Sequence, residues 1–163
     1  MYPDLAIMLS LLHGSVGLIY FNLEENEKAY YYFDQAISFD DSSMSNWVNL
    51  ALLNLKVGRT DDCMSICERI LAADPTNENA FQLKGDLFFR LEQIDMAFMF
   101  YKRAIEVNPE SHRANSSMGD IFQCSGKLKE AIDHYKKALS VRVDLADTFA
   151  KLCKAKLTCC DWE

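Results

Sequence analysis

The chain has 163 residues, of which 50% are hydrophobic and 25% are charged, with only three prolines and six glycines. This is the composition of an ordered protein, and the turn-forming residues are too few for an all-β sandwich or barrel. We therefore expect an all-α protein. The net charge is −7, so the chain lacks the basic surface that nucleic acid or an anionic membrane requires, and we expect no nucleic-acid partner.

The first predicted helix lies in residues 5–23, which are almost entirely apolar. No Lys or Arg precedes Lys28, so the basic start of a signal peptide is absent. Ser10, His13 and Asn22 interrupt the apolar run and argue against a membrane span. We therefore expect no membrane association, with an N-terminal anchor as the alternative.

The same segment is too apolar for one helical hairpin to cover. An exposed end of a helical protein normally turns a polar face to water. The helix has more apolar side chains than one hairpin can bury, which indicates that further repeats precede it or that a second copy of the chain pairs with it. The residues predicted to mediate such self-association are Leu5, Met8, Leu9 and Leu12.

The rest of the chain repeats with a period of 34 residues and no insertion. In the first half of each unit a small residue recurs every 34 positions, at Gly17, Ala51, Gly85, Gly119 and Cys153. Three further columns follow at Ala29, Cys63, Ala97 and Ala131, at Phe33, Cys67, Tyr101 and Tyr135, and at Ala36, Ile70, Ala104 and Ala138. Such a period is typical of a protein built from stacked supersecondary units.

Each unit is predicted to contain two helices. In the third unit these cover residues 80–91 and 94–107, whose small and aromatic residues recur at helical spacing. Gly58 and Gly126 supply turns after first helices, whereas Pro75 and Pro109 end second helices. The loops 74–77 and 108–111 are expected to cap the helices that follow them.

Phe81, Gly85 and Phe88 in the third unit, together with the 34-residue period, resemble the tetratricopeptide repeat family over residues 10–163. Some units depart from the family pattern, and Asn54 replaces the usual aromatic residue in the second unit. The resemblance implies a right-handed superhelical solenoid of antiparallel helical hairpins. It divides a single array, residues 1–163, into repeats 10–43, 44–77, 78–111 and 112–145 and the first helix of a fifth, 146–163.

The resemblance also implies a protein–protein interaction scaffold that binds a peptide or helix of a partner in a concave groove lined by the first helices. The candidate groove residues are Asn49, Lys56, Asn79, Gln82, Asp86, Arg90, Arg113, Ser116, Asp120, Gln123, Lys151 and Lys154. Asp86 and Asp120 recur one repeat apart and are predicted either to bind a basic or amide-rich segment or to be solvated surface charges.

The C-terminal stretch, residues 138–162, ends in Cys160-Asp161-Trp162 and resembles the tetratricopeptide arm of the O-linked N-acetylglucosamine transferases. The alternative function is therefore that of a substrate-recognition arm, with a catalytic domain outside this chain. That family carries a column of groove asparagines, of which only Asn49 is present here. Ser15, Leu83, Ser117 and Lys151 occupy the corresponding positions.

No catalytic constellation is found in the sequence. His13, His112 and His134 fall at different places in different repeats, and His134 is expected to face solvent. Cys63 and Cys67 lie one helical turn apart and could share a metal, but their spacing favours buried core residues. We expect no enzymatic activity, no metal and no cofactor. The cysteine pattern favours a reducing compartment, cytoplasm or nucleus.

Overall fold

The computed structural model describes residues 3–159, and this part of the chain consists of nine α-helices with no strand. The helices are α1 (Pro3–Asn22), α2 (Asn26–Phe39), α3 (Met44–Val57), α4 (Thr60–Ala73), α5 (Glu78–Arg90), α6 (Ile94–Val107), α7 (His112–Cys124), α8 (Leu128–Val141) and α9 (Ala146–Cys159). The two helices of each predicted repeat coincide with two consecutive helices of the structure.

The chain divides into two compact units, Met1–Pro75 and Thr76–Glu163. In the first unit α1 pairs with α2 and α3 pairs with α4, and the two hairpins pack through α2 and α3. In the second unit α5 pairs with α6, α7 pairs with α8, and α9 packs on α8. The predicted all-α class of stacked helical hairpins is confirmed, whereas the single array and the right-handed twist stay predictions.

The repeating columns of the sequence form the core. In all four hairpins the three columns of the second helix are buried, from Ala29 in the first to Ala138 in the fourth. Cys63 and Cys67 belong to these columns and are fully buried in α4, which confirms that they are core residues. Packing of these columns against the first helices stabilises each hairpin through the burial of apolar area.

In the first, third and fourth hairpins the two helices approach closely because a glycine of the first helix lies against an aromatic ring of the second. A Cβ atom added to Gly119 would lie 2.5 Å from Cε1 of Tyr135, and one added to Gly17 would lie 2.6 Å from Cδ1 of Phe33. No real Cβ atom tolerates such distances, so these positions admit only glycine without a shift of the ring.

The loops before α5 and α7 cap these helices as predicted. The side-chain oxygen of Asn77 accepts a hydrogen bond from the backbone N–H of Ala80 at 3.1 Å. The Ser111 hydroxyl accepts one from the N–H of Ala114 at 3.2 Å. Each capping side chain accepts a hydrogen bond from a backbone N–H of the first turn, which has no partner within the helix.

The turn inside each hairpin contains one residue in the left-handed region, and this residue also recurs every 34 positions. Gly58 and Gly126 have φ values of 82° and 72°, whereas Glu24 and Glu92 have values of 61° and 58°. Glycine adopts this conformation without steric cost, but a glutamate Cβ is crowded there. Two of the four turns are therefore strained.

Replacement of Glu92 by glycine should stabilise the protein by about 1 kcal/mol, because it relieves the crowding at positive φ. The measurement is the free energy of unfolding from urea titrations followed by circular dichroism. Glu92→Ala is the matched control, since it removes the same carboxylate but keeps the Cβ atom. A glycine variant no more stable than the alanine variant would contradict the interpretation.

Candidate functional site

A cleft of about 400 Å³ lies in the second unit, where α5, α7 and α9, the first helices of three successive repeats, face the same space. The side chains that line it from these helices are Gln82 and Asp86 on α5, His112, Arg113, Ser116, Ser117 and Asp120 on α7, and Asp147, Thr148 and Lys151 on α9. Asp144 and Leu145, from the loop before α9, and Ala146, its first residue, complete the lining. This is the face on which the groove was predicted.

Asp86 is held in place by three donors. Its Oδ1 accepts hydrogen bonds from the Tyr101 hydroxyl at 2.8 Å and from Nε2 of Gln82 at 2.9 Å. Nη2 of Arg113 lies 3.5 Å from Oδ2. Burial raises the pKa of Asp86, and the nearby charge of Asp120 adds to this. The three donors oppose the rise but do not cancel it.

Asp120 has the equivalent arrangement one repeat later. Its Oδ1 accepts a hydrogen bond from the Tyr135 hydroxyl at 2.8 Å, and its Oδ2 accepts one from Nζ of Lys151 at 2.9 Å. Lys151 also lies 2.9 Å from Oδ2 of Asp147. Burial lowers the pKa of Lys151, but the hydrogen bonds to the two carboxylates outweigh it, so the pKa is raised and the ammonium stays charged.

Tyr101 and Tyr135 are buried in the core, and only their hydroxyl groups reach the cleft carboxylates. Burial and the neighbouring Asp86 or Asp120 raise the pKa of both phenols, because ionisation would place a second negative charge beside the carboxylate. Both tyrosines therefore remain neutral donors at physiological pH. Each fixes the rotamer of one cleft carboxylate.

The pairing of aspartate with tyrosine is visible across the four repeats. Where the second helix carries Tyr101 or Tyr135, the first helix carries an aspartate. In the first two repeats the aspartate position is occupied by Leu18 and Leu52, and Phe33 and Cys67 stand at the tyrosine position. A carboxylate thus occurs only where a hydroxyl is available to hold it, as expected for a partly buried charge.

Gln82 contributes an acceptor that the fold does not use. Its Nε2 donates to Asp86 and also to the Ser117 hydroxyl at 3.1 Å, which fixes the orientation of the amide. Its Oε1 has no hydrogen-bond partner among the described residues, although the side chain is only 2% exposed. Nearby, the hydroxyls of Ser116 and Thr148 are 3.0 Å apart and link α7 to α9.

The structure brings together half of the predicted groove residues. Gln82, Asp86, Arg113, Ser116, Asp120 and Lys151 line the cleft, whereas Asn49, Lys56, Asn79, Arg90, Gln123 and Lys154 lie outside it. Asp86 and Asp120 are partly buried and paired, so they are not simply solvated surface charges. Tyr101 and Tyr135, whose hydroxyls hold the two carboxylates, are not among the residues predicted from the sequence. The signal that could have found them is the joint occurrence of tyrosine and aspartate.

The prediction that His134 faces solvent is wrong. The ring is half-buried, with Nδ1 3.1 Å from Oδ1 of Asn115, and it stacks on Phe122 with ring centroids 5.3 Å apart. The reason is that Asn115 stands where an aromatic residue is usual and offers a polar partner. Burial lowers the pKa of His134, and the charge of Lys137 lowers it further.

The apolar first helix leaves most of its surface uncovered. Met8 is 66% exposed and Leu12 is 58% exposed, Leu5 is exposed, and Leu9 is half-buried. Within the described residues, Asp4–Asn22 is the one helical stretch long and apolar enough to cross a membrane. Core helices of soluble proteins and signal sequences share this length and composition.

Replacement of Asp86 by asparagine should stabilise the protein relative to the wild type by an amount that grows as the pH rises above 3.8. Because the pKa of Asp86 is raised on folding, the folded state binds more protons than the unfolded chain in this range. The wild type therefore loses stability as that proton is released, and the variant does not.

The measurement is the free energy of unfolding of both proteins at a series of pH values from about 3 to 7. Asp95→Asn, at an exposed position in the first turn of α6, controls for the change in net charge. A difference between Asp86→Asn and wild type that stays constant or shrinks with rising pH would show that burial does not dominate the environment of Asp86.

A family model described as tetratricopeptide repeat matches residues 12–43 and 78–111. No relative was found among curated protein sequences. Among solved structures, TTC0263, a thermophilic TPR protein of Thermus thermophilus, has a TM-score of 0.82 at 17% identity, covering 93% of this chain and 84% of that chain. PilF of Pseudomonas aeruginosa has a TM-score of 0.78 at 18% identity, covering 97% and 71%.

A third structure is that of YrrB, described as a TPR protein with an unusual peptide-binding site. It has a TM-score of 0.58 at 20% identity, covering 93% of this chain and 78% of that chain. At these identities the likeness concerns the fold alone. Residues 12–43 and 78–111 therefore match the tetratricopeptide repeat, and the chain has the helical-hairpin fold of tetratricopeptide-repeat proteins.

Proposed function

We propose that the chain is a non-catalytic scaffold that holds an extended peptide segment of a partner protein in the cleft of α5, α7 and α9. The observation that carries this proposal is the row of fixed polar groups along the cleft. Two carboxylates, each held by a buried tyrosine hydroxyl, are each paired with a cation, Arg113 or Lys151, that also lines the cleft.

These groups suit the chemistry of a peptide. A main chain alternates N–H donors and C=O acceptors, and the cleft offers both kinds of partner along its length. Oε1 of Gln82 and the carboxylates accept, whereas Arg113 and Lys151 donate. Since most of these side chains are already held by bonds to one another, little conformational entropy is lost when a segment binds.

A catalytic role receives no support from the cleft. His112 lines it, but no described hydroxyl or thiol is hydrogen-bonded to this histidine, as a nucleophile and its base would be. Burial and the neighbouring Arg142 and Arg113 lower the pKa of His112. The hydroxyl of Ser116, which also lines the cleft, is hydrogen-bonded to the hydroxyl of Thr148 and not to a histidine.

The transferase-arm alternative depends on two features of the sequence. The asparagine column is replaced in the cleft by Ser117 and Lys151, which bond to Gln82 and to Asp120. The Cys160-Asp161-Trp162 end lies outside the described residues. The polar cleft therefore favours a scaffold with its own binding chemistry over recognition through an asparagine ladder.

The test is selection of binders from a phage-displayed library of random peptides by the full chain, followed by measurement of Kd by fluorescence anisotropy. Arg113→Ala should weaken the selected peptides by about tenfold, because it removes a donor at the cleft edge. Lys129→Ala, at an exposed position on α8, is the control and should leave Kd unchanged. Failure to enrich peptides, or equal affinity for Arg113→Ala, would overturn the proposal.

A second candidate role is self-association through α1, which the exposed apolar side chains favour. The double variant Met8→Glu and Leu12→Glu should then reduce the mass measured by multi-angle light scattering to that of one chain. Helicity should be unchanged, since both side chains are mostly exposed. If the wild type already has the mass of a single chain across the accessible concentrations, this role fails.

A further inference from the structure

The second hairpin contains a pocket where the other hairpins contain an aromatic side chain. Tyr20, Phe88 and Phe122 occupy one position of three first helices, and all three pack against the core. In the second repeat this position is Asn54, which is shorter. A pocket of about 270 Å³ lies beside it, bounded by α2, α3 and α4. All of its residues belong to the first compact unit.

The floor of the pocket carries an unused acceptor. Asn54 is only 2% exposed, lines the pocket, and its Oδ1 has no hydrogen-bond partner in the described part of the chain. A buried carbonyl without a partner is costly, and proteins normally satisfy such groups. A donor that enters the pocket would supply the missing hydrogen bond.

The rim of the pocket is acidic and aromatic. Asp34 and Asp62 line it, and neither carboxylate has an ion pair or hydrogen bond within residues 3–159. Tyr30 and Trp47 provide aromatic walls, and the remaining lining residues are Ile37, Leu50, Ser65 and Ile66. No Lys, Arg or His is among the described lining residues, so the negative charge of the rim is not neutralised within the pocket.

Two arginines contact the aromatic walls of the pocket without lining it. The guanidinium carbon of Arg59 lies 5.2 Å from the ring centroid of Tyr30, and that of Arg69 lies 4.0 Å from the ring centroid of Trp47. Arg69 also pairs with Asp41 at 3.7 Å. Neither arginine lines the pocket, but both show that a guanidinium stacks readily on these two aromatic walls.

We propose that this pocket binds an arginine side chain of a partner protein. A guanidinium is planar, always charged and carries five N–H donors, so it can stack on an aromatic ring while donating to a carbonyl and to carboxylates. The surroundings favour such a partner, because residues 1–77 carry eleven acids against four bases. The proposal concerns the first unit and does not depend on the cleft of the second.

The test uses the ¹⁵N-labelled full chain and the blocked tripeptide acetyl-Gly-Arg-Gly-amide. Titration should shift the resonances of the Trp47 indole N–H and of the Asn54 side-chain amide. The same tripeptide with citrulline, a neutral isostere of arginine, should produce no shift. Asp34→Asn combined with Asp62→Asn should weaken binding by about tenfold through loss of the carboxylates.

Asn54→Phe restores the aromatic residue of the other repeats and should abolish the shifts by filling the pocket. If that variant does not fold, the aspartate double variant decides, since both side chains are exposed. Asp95→Asn combined with Asp133→Asn, at two exposed positions of the second unit, is the charge-matched control and should bind as the wild type does. The absence of shifts in the wild type, equal shifts with citrulline, or unchanged binding by the aspartate double variant would each overturn the proposal.

Discussion

The structure depends on the close approach of the two helices in the first, third and fourth hairpins, which a missing Cβ atom makes possible. Gly17, Gly85 and Gly119 each lie against an aromatic ring of the partner helix. The contact with the glycine determines the position of the far end of the ring. In the second unit the hydroxyls of Tyr101 and Tyr135 emerge beside carboxylates of the first helices. The packing that closes the hairpin therefore also positions the polar groups of the cleft.

The cleft illustrates how a helical repeat can hold charge in a partly buried place. Desolvation disfavours the ionised form of Asp86, and the hydroxyl, amide and guanidinium donors around it compensate only in part. In the first two repeats the corresponding residues, Leu18 and Leu52, avoid this cost. The polar character of the second unit is thus maintained at some expense in stability.

Much of the fold could be predicted from the sequence because it follows from periodicity. A 34-residue step with small and aromatic columns specifies which faces are buried, and the turns at Gly58 and Gly126 and the caps at Asn77 and Ser111 follow from residue type. Periodicity does not predict which side chains are hydrogen-bonded to each other. The hydrogen bond from Tyr101 to Asp86 spans 15 positions, and the burial of His134 depends on the identity of Asn115. The sequence showed that Asn54 replaces an aromatic residue, but the pocket beside it and the lack of a partner for its Oδ1 among the described residues required the structure.

The residues with positive φ in the turns are expected to determine which hairpins unfold locally first. Glu24, Gly58, Glu92 and Gly126 alternate along the chain, so each compact unit contains one hairpin with a strained turn and one with a relaxed turn. The stability of stacked repeats is the sum of the intrinsic terms of each repeat and the interfaces between neighbours. Transient local unfolding within each unit should then begin in the hairpin closed by glutamate. Sensitivity to proteases and the exchange of backbone amides with solvent would vary along the chain with a period of two repeats.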